Sequence, residues 1–117
     1  MSINTLTSKP SLADICDVAY AVNILGGKWK ISIIWELADG NPKRLAELRR
    51  KLVGISEGVL ITQLKDLEQN DLIYRRPFLQ VPPRVEYSLT SEGLQLIEVI
   101  RNLERWGGSR RRTATRF

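Results

Sequence analysis

The chain has 117 residues, of which 43% are hydrophobic and 26% charged, and this fits one soluble globular domain. It contains no histidine and one cysteine, Cys16, so the commonest general base and metal ligand is absent and no thiolate–imidazolium pair or internal disulfide can form. No catalytic site, metal site or cofactor is therefore expected. The net charge of +5 is uneven: residues 1–100 carry 12 basic and 12 acidic side chains, and the whole excess lies in residues 101–117.

Residues 1–10 are rich in Ser, Thr and Asn, end in Pro10, and read as a flexible arm. Ser11 to Leu25 reads as one or two helical turns and then a short helix, stopped by Gly26-Gly27. Ile15, Val18, Ala19, Val22 and Leu25 share one face. Lys28 to Asp39 reads as a helix that is apolar nearly all round, with Trp29, Ile33, Ile34, Trp35 and Leu37, which places it at the centre of the core. Gly40-Asn41-Pro42 ends it.

Arg44 to Val53 reads as a helix with Leu45, Leu48 and Leu52 inward and basic residues outward. Gly54-Ile55 makes a turn, Ser56 caps the next helix, and that helix runs to about Asn70 with Leu60, Leu64 and Leu67 on one face. Ile73–Leu79 and Arg84–Leu89 read as strands flanking Val81-Pro82-Pro83, the second alternating cleanly. Thr90 caps a last helix to about Trp106, Gly107-Gly108 ends it, and residues 108–117 read as a basic disordered tail. Residues 11–107 are thus one domain.

Helix, tight turn, second helix and β-hairpin is the order of a winged helix-turn-helix, an α+β fold that is mainly helical with a two- to three-stranded wing. Ser56, Gly58, Ile61, Thr62 and Lys65 form the expected groove-facing set on the second helix: Ile61 suits a thymine methyl, Lys65 a guanine or phosphate, and Ser56 a phosphate at the helix N-terminus. Residues 43–51 hold five basic side chains against the single acid Glu47, and Lys43, Arg44 and Arg49 are expected on phosphates. Arg84 and Gln80 flank the hairpin tip as wing contacts. Arg75 and Arg76 alternate in facing, so one of them, taken as Arg76, joins that set. The plain alternative for each is a solvated helix face or hairpin end.

Four stretches carry a family resemblance: Cys16-Asp17-Val18 with Tyr20; Ile24-Leu25-Gly26-Gly27-Lys28-Trp29; Gly54-Ile55-Ser56 with Leu60, Gln63-Leu64-Lys65 and Leu67-Glu68; and the run from Val81 to Thr90 with Gly93. Through them the chain resembles the HxlR-type regulators, a branch of bacterial winged-helix transcription factors. The resemblance implies a cytoplasmic homodimer formed through the N- and C-terminal helices, with two units on palindromic double-stranded DNA. Trp106 is an interface candidate. Leu45 stands where the family has Phe, and Glu57-Gly58 where many members carry longer polar or basic side chains, so operator sequence does not carry over.

Some members sense electrophiles or oxidants through an N-terminal cysteine, which makes Cys16 the expected redox-sensing residue and a small molecule or oxidant the expected effector. The bland reading of Cys16 is a small hydrophobe. No apolar run reaches the ~20 residues of a membrane span, so no membrane partner is expected. The competing functional class is a winged-helix module that docks another protein without specific DNA binding.

Overall fold

The computed structural model describes residues 12–114, with side chains from Cys16 onward. The arm at 1–10 lies outside the described residues. In chain order the elements are α1 (Leu12–Leu25), α2 (Lys30–Glu36), β1 (Lys43–Arg44), α3 (Leu45–Lys51), α4 (Glu57–Gln69), β2 (Ile73–Phe78), β3 (Arg84–Leu89) and α5 (Ser91–Ala114). The strands form one antiparallel sheet in the order β1-β3-β2, and the chain folds as a winged helix-turn-helix.

One apolar cluster joins every element except α1 and β1: Ile33, Ile34 and Leu37 meet Leu48 and Leu52 of α3, the Leu60, Leu64 and Leu67 stripe of α4, Ile73 and Leu89 of the sheet, and Ile97 and Ile100 of α5. Full burial of each such side chain is worth about 1.5–3 kcal/mol. The expected stripes of α3 and α4 are thus the ones used. α2 is shorter than its sequence pattern, because Leu37–Asp39 turn after Glu36. Its apolar surround is also only partly buried: Trp35 is 38% exposed.

The basic segment begins differently from the expectation. Arg44 is extended (φ −86°, ψ 160°) and ends strand β1, so the helix starts at Leu45. Lys43 pairs with Tyr87 and Arg44 with Glu86, which makes the wing sheet three-stranded. The Glu47 carboxylate accepts from the Arg44 backbone N–H at 3.1 Å and closes the first turn of α3. At the other end Gly54 takes φ +92°, a conformation that L side chains rarely adopt, and so turns α3 into α4.

The reading of residues 108–117 as a disordered tail is corrected by α5, which continues through Gly107-Gly108 to Ala114; residues 115–117 lie outside the described residues. A glycine costs a helix interior about 1 kcal/mol but stops it only by taking a left-handed conformation. Neither Gly107 nor Gly108 does so, and no proline follows before Ala114. Arg111 and Arg112 in the last turn suit the negative end of the helix dipole.

α1 is one continuous helix, and its described apolar residues before Ile24 stand in solvent. Val18, Tyr20 and Val22 are each more than 60% exposed, while Ile24 and Leu25 are packed on the core. α5 adds exposed Val99, Leu103 and Trp106.

The start of α5 is tied to the end of α4. The Thr90 hydroxyl donates to the Asp71 carbonyl at 2.6 Å and accepts from the Gly93 N–H at 3.0 Å, and the Thr90 N–H donates to the Leu72 carbonyl at 3.1 Å. A Cβ on Gly93 would lie 2.2 Å from the Leu72 carbonyl oxygen, so the backbones touch where only glycine fits. We predict that Gly93→Ala lowers stability by about 1–3 kcal/mol, as overpacking does, measured by urea denaturation. Stability equal to the parent would show that α5 does not need this contact.

Candidate nucleic-acid interface

α4 begins at Ser56, which is extended (φ −82°, ψ 157°) and accepts from the Val59 N–H through its hydroxyl at 3.2 Å. Its back is fixed by the buried leucines. With 100° per residue, Gly58, Thr62, Lys65 and Gln69 lie on the opposite side, and all four are exposed. Gln69 belongs to this line although the sequence reading stopped at Lys65; the same spacing extends to it. Thr62 donates its hydroxyl to the Gly58 carbonyl at 2.9 Å, which leaves its oxygen able to accept. Ile61 is half-buried on the flank toward the sheet, not on the outward line.

A charged contact pins α4 from the other flank. Lys30, only 8% exposed at the start of α2, donates its ammonium to the Asp66 carboxylate. The helix therefore has an apolar stripe behind it and an ion pair at its side.

The basic residues divide. Arg49 and Arg50 are exposed on α3 and line a cleft of about 530 Å³ with Leu45, Ala46 and Glu57. Glu57 shares that cleft with the two arginines. Lys43 is committed elsewhere: its ammonium donates to both Asp39 oxygens at 2.8 Å. That ammonium, with the Asn41 backbone N–H, holds the exposed Asp39 carboxyl below its ordinary range. Arg44 is exposed beside Glu86 on the sheet edge.

The wing is built differently from the expectation. Gln80 is exposed at the tip between fully exposed Leu79 and Val81. Arg76 and Arg84, expected to face DNA there, lie on the hairpin face bearing Phe78 and Glu86. Both guanidinium groups stack on the Phe78 ring, at 5.1 and 4.3 Å from its centroid, and Arg84 Nε stands 3.5 Å from the Glu86 carboxylate. That nitrogen is buried and makes no hydrogen bond, so the pair is electrostatic proximity without donor alignment. Cys16 is exposed on α1, away from all of these groups in sequence and on a different element.

A capped helix with a buried back and a small, polar and basic front, beside a hairpin wing, defines a winged helix-turn-helix of the DNA-reading class. The chain belongs to the HxlR-like helix-turn-helix family, whose model matches residues 24–114. It is 43% identical over 88 residues to the uncharacterized HTH-type transcriptional regulator BH0655 of Halalkalibacterium halodurans, covering 75% of this chain and 78% of that one. Among solved structures, the redox regulator HypR in its reduced form is similar with TM-score 0.80 and 35% identity over 86% of this chain and 99% of that chain. The reduced form of the transcriptional regulator YodB from B. subtilis is similar with TM-score 0.69 and 34% identity, over 77% of this chain and 87% of that chain. Its diamide-treated form is similar with TM-score 0.65 and 31% identity, over 78% and 89%. The chain is a DNA-binding transcriptional regulator.

We predict that Asp66→Asn destabilises the fold by about 1–3 kcal/mol, because it leaves the Lys30 ammonium nearly buried beside a neutral group. Adding Lys30→Met should return much of that loss. Thermal melts of the parent and the two variants check it; a double variant no more stable than Asp66→Asn would contradict it.

Proposed function

We propose that this regulator acts as a homodimer in the cytoplasm and reads an inverted repeat, with one α4 in each of two successive major grooves about 34 Å apart. The observation that carries the DNA-reading half is the outward line Gly58, Thr62, Lys65 and Gln69 on a helix whose rotation is fixed from behind. Small residues let the helix approach the groove floor, and Thr62, Lys65 and Gln69 offer acceptor, methyl and donor groups to base edges and phosphates. Arg49 and Arg50 on α3 add sequence-independent phosphate attraction.

The dimer half is supported by α1. A 14-residue helix is marginal in water without tertiary packing, and this one leaves Val18, Tyr20 and Val22 in solvent. Exposed Val99, Leu103 and Trp106 on α5 supply a second apolar strip of the same kind. A second copy covering both strips would bury them.

Cys16 stands on α1, so a change at its sulfur would act on the relative placement of the two reading heads and leave the reading surface untouched. HypR and YodB are each known in two treated or redox states, which supports a thiol-responsive reading here. With no other cysteine in the chain, oxidation joins Cys16 to the partner's Cys16 or to a small thiol. Two thiols then lose two protons and two electrons to the oxidant as the S–S bond forms.

Selection from a random duplex library at about 150 mM salt, where nonspecific binding is weak, tests the reading. An inverted repeat is expected, and Lys65→Ala should weaken binding to it by about 10-fold or more while leaving the melting temperature unchanged. Equal affinity for every duplex, with a protein partner retained after Lys65→Ala, would favour the docking-module reading. On the selected duplex, diamide should alter the affinity of the parent and not of Cys16→Ser. An equal response from both would remove Cys16 as the sensor.

A further inference from the structure

The hairpin register sorts the wing arginines onto two faces. Arg76 pairs with Glu86 and Phe78 with Arg84, so Arg76, Arg84, Phe78 and Glu86 share the outer face, where the two guanidinium groups are stacked on Phe78. Arg75 pairs with Tyr87 and so lies on the inner face, the one carrying the buried Ile73 and Leu89. There it lines a cleft of about 440 Å³ between the sheet and α4. The cleft has a floor of buried or half-buried Tyr87, Val85 and Ile61, and exposed Arg75 and Lys65 at its rim, with Glu68 as its one carboxylate. Among the described residues the side chains of Arg75 and Lys65 make no hydrogen bond, ion pair or ring contact, in contrast to those of Arg76 and Arg84.

We propose that this cleft seats one sugar–phosphate strand of the bound duplex, with Arg75 and Lys65 gripping it from the wing and from the recognition helix. Arg75, and not Arg76 or Arg84, is then the wing arginine that meets DNA. The occupant follows from three properties. The cleft is continuous with the outward line of α4, since Lys65 belongs to both. Its rim carries two uncommitted cations, which suit a polyanion. Its apolar floor suits the deoxyribose carbons between phosphates. Glu68 opposes the bound strand, so the rim's attraction is deliberately incomplete and the contact contributes affinity without reading bases. The stacked arginines have a different part: they stiffen the outer face of the hairpin. The inference rests on the DNA-reading function proposed above.

The test is fluorescence anisotropy with the selected duplex and a scrambled duplex across about 50–300 mM salt. Arg75→Gln is expected to weaken binding to both duplexes by a similar factor, about 5- to 20-fold at low salt, and to flatten the slope of log K against log salt by about 0.9, the amount for one phosphate. Arg75→Lys should keep the slope, and Glu68→Gln should tighten binding to both duplexes. Arg76→Gln should change affinity less than about twofold. Melting temperatures within a degree or two of the parent separate these effects from misfolding, and Arg75→Lys supplies the comparison should the glutamine variant melt early. An unchanged slope in Arg75→Gln, or a slope lost in Arg76→Gln instead, would overturn the cleft while leaving the function standing, because the parent would still select its repeat. A parent that prefers no sequence yet loses slope on Arg75→Gln would uphold the cleft and sink the sequence-reading function. A parent that binds no duplex would sink both.

Discussion

Leu60, Leu64 and Leu67 are each no more than 1% exposed, and their burial fixes the rotation of α4 about its own axis. A helix turns 100° per residue, so one buried stripe decides which side chains can face outward. Everything assigned to DNA reading follows from it: Gly58, Thr62, Lys65 and Gln69 are outward because the leucines are inward. The Lys30–Asp66 pair holds the same rotation at one flank. Changing one leucine to a smaller residue would loosen the orientation of the reading surface before it altered any reading group.

The sheet serves the helix in a different way. Its inner face completes the core through Ile73 and Leu89, while the two-residue period of its strands divides Arg75 from Arg76. Adjacent arginines in the sequence therefore have unrelated surroundings. One faces the cleft beside α4, and the other stacks on Phe78 with Arg84. The hydrogen bonds of Thr90 with Asp71, Leu72 and Gly93 bind the base of this hairpin to the end of α4 and the start of α5, so reading helix, wing and long C-terminal helix form one connected frame. In the proposed homodimer, a change in how α1 and α5 meet the second copy would move the reading head as a unit.

What was legible in the sequence was what local pattern determines. The α4 stripe, the Ser56 cap, the alternation of β3 and the Thr90 cap all depend on residues within a turn or two of one another, and the structure has them. What pairing partners determine was not legible. Strand β1 has two residues, and only Tyr87 and Glu86, more than forty positions away, make it a strand. Which of Arg75 and Arg76 shares a face with Phe78 needed the register, which alternation alone does not supply. Gly107-Gly108 read as a stop because glycine often ends helices, yet the backbone there stays helical and the arginines after it favour continuation.

The central claim is that the outward line of α4 is the surface that meets DNA. Its most direct test is a titration of the isotopically labelled protein with the selected duplex, followed by amide chemical shifts. The account predicts the largest shifts at Gly58, Thr62, Lys65 and Gln69, with smaller ones at Arg49, Arg50 and Arg75. Shifts concentrated on α1 and the far end of α5, with α4 unmoved, would contradict it.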